Sequence, residues 1–102
     1  MIFVITGTEA FPFNRLIEEV DRLKKEKYIH DDVHIQLGSC TYIPENCTWD
    51  KWLPFDIMCQ NIKNAEIVIT HAGAGTTLLC LELGKTPVIV TRKKYYNEHL
   101  DD

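Results

Sequence analysis

The fold class of this chain is indicated most clearly by residues 67–84, which read IVITHAGAGTTLLCLELG. The first four residues form a short, β-branched run without charge, which is typical of a strand covered on both faces. Residues 76–83 predict a helix with almost no polar surface before Glu82, and Gly84 stands where helices commonly end. A glycine-rich segment, residues 71–77, therefore joins the end of a buried strand to the start of a helix.

The rest of the chain alternates between apolar runs and helical patterns. Strands are predicted at residues 2–6, 33–37 and 87–90, with a short one near 49–53. A first helix is predicted where apolar residues recur every three or four positions from Phe13 to Leu23, with the charged residues between them, Asp21 included, facing solvent. A second helix is predicted at residues 55–64, and a polar tail with helical character at 91–102.

Strands that alternate with helices indicate the α/β class. We expect a Rossmann-like, three-layer fold whose parallel strands are joined by right-handed crossovers. The 102 residues suit one domain spanning 1–102, because no repeat or linker interrupts them. Sheets of this kind bind ligands at the carboxyl ends of their strands, which is where residues 71–77 would lie.

Composition limits the partners of such a domain. The chain carries a formal net charge of -4, so no basic field attracts nucleic acid, and a phosphate would have to be held by local groups. No apolar run approaches the roughly 18 residues that span a bilayer, so no direct membrane insertion is expected. The four cysteines lack the close spacing of a zinc site, and we expect reduced thiols in a cytoplasmic protein.

The segment 71–77 combines the features that a diphosphate needs. Gly73 and Gly75 can take conformations closed to other residues and let the chain approach a ligand closely. The helix that follows offers unpaired N–H groups and the positive end of its dipole. Thr76 and Thr77 can cap this helix or donate a hydroxyl to a phosphate oxygen. The alternative is a tight strand-to-helix turn with a capping threonine and no ligand.

Two further features adjoin this segment. Gly7 and Thr8 follow the first predicted strand and precede a helix, so they form either a second wall of the same crevice or an ordinary turn. His71 stands at the mouth of the glycine-rich segment. Its imidazole either donates a hydrogen bond to the diphosphate or only fixes the loop.

At these residues the chain resembles a known family. Residues 67–76 (IVITHAGAGT), 83–90 (LGKTPVIV), 97–99 (NEH) and 3–8 (FVITGT) are similar to the C-terminal, donor-binding half of GT-B glycosyltransferases of family 28 type. The nearest resemblance is to small subunits of split enzymes, namely the dolichol-linked N-acetylglucosaminyltransferase and bacterial exopolysaccharide and capsule counterparts. The resemblance covers nearly the whole chain.

The resemblance implies a UDP-sugar-binding subunit of a two-component hexosyltransferase. Its partner would be a membrane-associated subunit that binds the lipid-linked acceptor and recruits this chain to the cytoplasmic membrane face. A hexose or N-acetylhexosamine would be transferred without a metal or any cofactor beyond the donor. The residues that the resemblance places at the nucleotide sugar are Gly7, Thr8, His71, Ala72, Gly73, Ala74, Gly75, Thr76, Thr77, Glu98 and His99.

The chain departs from the family pattern at two places. Eight residues after His71, where relatives often carry an acid that holds the uridine ribose, this chain has Leu79. The family motif also continues from residues 97–99 to a His-Gln pair that is absent here, and we expect the domain to lack its last helix. These departures favour an alternative: a non-catalytic module that docks on a partner glycosyltransferase without turning over nucleotide sugar. A third reading is a Rossmann-like enzyme that binds another phosphorylated ligand.

Overall fold

A computed structural model describes residues 1–6, 12–71 and 73–91. The described strands are β1 (Ile2–Ile5), β2 (Val33–Gln36), β3 (Thr48–Asp50), β4 (Ile67–His71) and β5 (Val88–Val90). The described helices are α1 (Asn14–Lys25), α2 (Phe55–Asn64) and α3 (Ala74–Glu82). The predicted tail, residues 92–102, lies outside the described residues.

The strands form one parallel sheet in the order β3-β2-β1-β4-β5. In its register Ile5 lies between Gln36 on β2 and Thr70 on β4. From β1 the chain adds strands in one direction as far as β3, then crosses back to β4 and continues to β5. This confirms the predicted Rossmann-like α/β class, and it places the reversal of strand order between β1 and β4.

Helices cover both faces of the sheet and bury two apolar clusters. On the α1 face, Val4 and Ile35 pack against Ile17. On the opposite face, which we call the α2/α3 face, Phe3 packs with Ile62 of α2 and Cys80 of α3. Because side chains alternate along a strand, neighbours such as Phe3 and Val4 serve different clusters. The two clusters account for the continuously apolar sequence of the central strand β1, which is buried throughout.

The C-terminal end of α3 is tied to the C-terminal end of α2. Gly84 takes a positive φ of 80°, which lets the amide of Lys85 donate to the carbonyl of Cys80 at 2.8 Å. The Lys85 ammonium donates to the carbonyl of Ala65, the residue that ends α2, at 2.6 Å. A cation at this position also favours the negative end of the α2 dipole. These contacts join the C-terminal end of α3 to the C-terminal end of α2.

The expectation that Asp21 faces solvent is wrong. Its carboxylate is only 3% exposed and accepts hydrogen bonds from the Tyr42 hydroxyl at 2.6 Å and from the backbone amides of Glu45 and Asn46. Burial raises the pKa of this carboxyl, but the hydrogen bonds outweigh burial and leave the pKa lowered. The same hydrogen bond raises the pKa of Tyr42 to about 12. A buried carboxylate thus organises the connection between β2 and β3.

The four cysteines are free thiols, as predicted. Burial raises the pKa of Cys47 to about 11 and also raises that of Cys80, so both stay protonated at neutral pH. Cys40 has a packing role, because its Sγ accepts a hydrogen bond from the amide of Phe13 at the start of α1. Among the described residues, no helix has the length and apolar character needed to cross a membrane.

Candidate functional site

The site lies where the strand order reverses. β1 and β4 are neighbours in the sheet and run parallel, so their carboxyl ends open side by side at the same edge. Loops leaving such neighbours diverge to opposite faces and leave a crevice between them. The chain leaves β1 through Thr6 and leaves β4 through His71 towards α3. Of the predicted site residues, Gly7, Thr8, Ala72, Glu98 and His99 lie outside the described residues.

α3 begins at Ala74, two residues earlier than the sequence pattern predicts. Gly73 is its N-cap, with extended backbone angles of φ -74° and ψ 132°. A glycine has no side chain with which to cap a helix, and no side-chain cap is present here. Ala74 and Gly75 are therefore part of the first helical turn rather than of a loop.

The first turn of α3 offers three amide donors. The amides of Ala74, Gly75 and Thr76 precede the first helical hydrogen bond and have no acceptor within the helix. Ala74 and Gly75 are exposed to solvent, and Thr76 is half-buried. Together with the positive end of the helix dipole, these donors can hold an anion.

Thr77 does not belong to this donor set. Its amide donates to the carbonyl of Gly73 at 3.1 Å, and its hydroxyl donates to the same carbonyl at 2.8 Å. Both groups thus close the first turn from inside. The structure therefore leaves the amides of Ala74, Gly75 and Thr76 as the donors of the first turn that have no acceptor in the helix.

Gly73 is required for packing and not for an unusual backbone conformation. Its φ is negative, and among the described glycines a positive φ occurs at Gly38 and Gly84. A Cβ built on Gly73 would lie 2.1 Å from Cε1 of His71 and 2.8 Å from Nε2. Any side chain here would therefore overlap the imidazole. The reason predicted from sequence, conformational freedom, is wrong for Gly73.

Gly75 has a different environment. It lies in the helix, and a Cβ built on it would meet no atom within 4 Å among the described residues outside the adjoining helix backbone. Neither packing nor conformation of the described chain requires glycine here. The missing side chain leaves the surface beside the three donors clear, so a ligand can approach the backbone closely.

His71 is buried, with 5% of its surface exposed. Alternation along β4 places it with Ile69 on the α1 face, and its ring lies against Gly73. A contact of this kind is what we expect of a histidine that only fixes the loop, which stays a prediction. A hydrogen bond from its imidazole to a diphosphate stays a prediction.

The structure adds a residue that sequence reasoning missed. Thr70, the residue before His71, is fully buried, and its hydroxyl oxygen has no hydrogen-bond partner among the residues that the structure describes. Buried hydroxyl groups are nearly always paired, so an exception next to a candidate site is informative. The signal in the sequence was a threonine that ends a strand otherwise made of isoleucine and valine.

Leu79 stands where related proteins were expected to carry an acid, and its surroundings in the structure are apolar. Leu79 is partly buried and packs on the α2/α3-face cluster, beside Cys80. Glu82, three residues further along α3, is exposed and lies in the last turn of the helix, at the end opposite the three donors. No carboxylate of α3 therefore lies near its first turn.

Comparisons with known proteins identify the family of this chain. The sequence model of the Glycosyltransferase family 28 C-terminal domain matches residues 1–102. The chain is similar to the UDP-N-acetylglucosamine transferase subunit ALG13 of Homo sapiens, with 34% identity over 105 residues and 96% of this chain covered. The protein of the same name from Mus musculus is 34% identical over 95% of this chain.

A shorter match joins these two. The subunit of the same name from Yarrowia lipolytica is 39% identical over 44 residues, which cover 43% of this chain and 22% of that protein. The chain spans only 9% of the length of the human and mouse relatives. No solved structure gives a significant match.

Proposed function

This chain belongs to the family of glycosyltransferase family 28 C-terminal domains. We propose that it binds the diphosphate of a UDP-sugar and acts as one subunit of a two-component glycosyltransferase. The human and mouse relatives are each named as a subunit of a UDP-N-acetylglucosamine transferase, which supports UDP-N-acetylglucosamine as the donor and a second subunit as partner. Family membership supports a glycosyltransferase reaction, and in this proposal the sugar transferred is a hexose or an N-acetylhexosamine.

One observation carries this proposal: the uncapped first turn of α3 at the reversal of strand order. The amides of Ala74, Gly75 and Thr76 point from the same helix end and have no acceptor among the described residues. A diphosphate supplies several anionic oxygens that such donors can bind. Because the chain has a net charge of -4, binding would depend on these local donors and not on a general positive field.

The same donors suit the chemistry of transfer. An acceptor hydroxyl attacks the anomeric carbon of the sugar, the new C–O bond forms as the bond to UDP breaks, and the hydroxyl proton passes to a base. Negative charge grows on the leaving diphosphate, where the three amides and the helix dipole stabilise it. In this proposal a membrane-associated partner subunit binds the lipid-linked acceptor and holds this chain at the cytoplasmic membrane face.

Calorimetric titration with UDP and with UDP-N-acetylglucosamine tests the proposal. We expect saturable binding of both at up to low-millimolar concentration, strengthened by an acceptor-side partner. NAD and a sugar phosphate serve as controls, because a Rossmann-like domain with another ligand would prefer one of them. The absence of UDP binding, even with the partner present, would contradict the proposal.

A second function is favoured by one observation, the packing of Leu79 into the apolar cluster where an acid was expected. In this alternative the domain docks on a glycosyltransferase partner and holds no nucleotide. Leu78 and Leu81 on the solvent side of α3 are 60% and 52% exposed and offer apolar surface for such docking. Thermal stabilisation of the isolated domain by UDP would contradict this alternative, whereas partner binding that is insensitive to UDP would support it.

A further inference from the structure

The hydroxyl of Thr70 differs from those of Thr6 and Thr77, the nearby threonines in the described part of the chain. Thr70 is 0% exposed, and its Oγ1 has no hydrogen-bond partner within that part. On the neighbouring strand, the buried hydroxyl of Thr6 donates towards the carbonyls of Gln36 and Leu37, at 3.2 and 2.9 Å. The hydroxyl of Thr77 is paired with the carbonyl of Gly73. Thr70 therefore differs from both in leaving a desolvated hydroxyl without compensation.

Its place in the fold puts this hydroxyl next to the proposed anion site. Alternation along β4 places Thr70 on the same face as Val68, which packs in the cluster that contains Cys80 of α3. Only residues 72 and 73 separate the end of β4 from the start of α3. α3 thus begins at the end of the strand where Thr70 stands, on the face towards which Thr70 points.

Leaving a buried hydroxyl without a partner destabilises a protein, and a valine of nearly the same shape would avoid this loss. A group of this kind is a store of free energy that a second state of the protein can release. The only change in this neighbourhood that the proposed function requires is the binding of a diphosphate to the first turn of α3.

We propose that Thr70 is a positioning residue for the donor, whose hydroxyl gains its hydrogen-bond partner when the first turn of α3 closes on the diphosphate. This inference rests on the proposed function. Part of the free energy of donor binding then comes from a hydrogen bond inside the protein. The hydroxyl of Thr70 makes this hydrogen bond without touching the ligand. The bound arrangement of the turn is favoured over the free one by this contact.

The variants Thr70→Val and Thr70→Ser test the proposal, with the melting temperature measured without ligand and the Kd for UDP measured by calorimetry. For Thr70→Val we expect a higher melting temperature, because an unpaired hydroxyl has been removed. We also expect a Kd for UDP weakened about tenfold, because the bound state has lost a hydrogen bond. Thr70→Ser keeps the hydroxyl and should bind within about twofold of the wild type.

For Thr70→Val we expect greater stability but weaker UDP binding. This opposition distinguishes a positioning role of the hydroxyl from a merely structural one. If Thr70→Val has a lower melting temperature or fails to fold, the hydroxyl has a partner in the free protein, and the proposal is wrong. If Thr70→Val binds UDP as well as the wild type does, the proposal is also wrong, while the proposed function stands. If the wild type itself binds no UDP, the proposed function fails and this inference fails with it.

Discussion

The imidazole of His71 occupies the space that a side chain on Gly73 would need. A Cβ there would lie 2.1 Å from Cε1 of the ring, far inside van der Waals contact. The ring is buried on the α1 face and cannot swing freely away. The histidine and the glycine two residues later therefore act as one packed unit, which sets the path of the chain from β4 into α3.

Replacing Gly73 by alanine should lower the free energy of unfolding by about 1–3 kcal/mol, because the methyl group forces the ring or the turn to move. The loss should be smaller when the ring is absent. A double-mutant cycle with Gly73→Ala and His71→Ala, measured by urea unfolding, should give a coupling free energy of about 1 kcal/mol or more. Additive effects would contradict the packed arrangement of the two residues.

Replacing Gly75 by alanine should have opposite effects on stability and on binding. The protein has room for the methyl group, and alanine favours the helix by about 0.5–1 kcal/mol over glycine. The same methyl group would stand beside the three amide donors and should weaken UDP binding on the order of tenfold, which corresponds to 1.4 kcal/mol. Thermal melting and calorimetry give the two quantities.

Gly84→Ala is the matched control at the other end of α3. The positive φ of 80° at Gly84 should make this variant less stable by about 1 kcal/mol. The folded protein should bind UDP with unchanged affinity, since Gly84 lies a helix length from the donors. If Gly75→Ala and Gly84→Ala affect UDP binding equally, then close approach at Gly75 is not what holds the ligand.

Asp21→Asn should destabilise the protein at neutral pH by about 2 kcal/mol, because the hydrogen bonds to a buried carboxylate are lost. The pKa of Asp21 is lower in the folded protein than its usual 3.8. The contribution of Asp21 to the free energy of unfolding is therefore complete above pH 3.8 and is lost as the pH falls through the folded pKa. The difference between wild type and variant should therefore shrink below about pH 3.8. Urea unfolding at a series of pH values measures it.

The exposed Glu18 on the same helix supplies the control for Asp21. Glu18→Gln removes one negative charge without breaking any hydrogen bond to the loop that follows β2. Its free energy of unfolding should stay within about 0.5 kcal/mol of the wild type. Equal effects of the two variants would mean that net charge, and not the buried carboxylate, determines the stability at this helix.

Lys85→Met should lower the free energy of unfolding by about 2 kcal/mol, because the carbonyl of Ala65 loses a charged donor in a partly buried setting. Lys63→Met is the matched control, since Lys63 is an exposed lysine in the last turn of α2. It should cost less than about 0.5 kcal/mol. Similar losses for both lysines would show that the contact between the ends of α2 and α3 contributes nothing specific.

The apolar pattern of the sequence was sufficient for the sheet and the helices, because burial on both faces leaves a continuously apolar run in a strand such as Ile2–Ile5. The exposed edge strand Thr48–Asp50 has no such pattern, and its prediction was displaced by a residue at the start and three at the end. The start of α3 was placed too late because glycine, a poor helix former, occupies the first turn.

The errors at single residues have one physical origin, which is that their partners are distant in sequence. Asp21 lies four residues after Ile17, on the apolar stripe of α1, which was the available signal. Its partners at Tyr42 and Asn46 cannot be read from the helix alone. The reason why residue 73 is a glycine likewise depended on the orientation of the His71 ring. The unpaired hydroxyl of Thr70 can be recognised only when the groups around it are known.

The binding of a diphosphate by the first turn of α3 can be measured directly by recording amide resonances of the ¹⁵N-labelled protein during a titration with UDP. We predict saturable shifts at Ala74, Gly75 and Thr76, whose amides have no acceptor in the helix, and little change at Gly84 at its far end. If saturating UDP leaves these three resonances in place, or if the shifts are centred on another part of the chain, the first turn of α3 is not the diphosphate site.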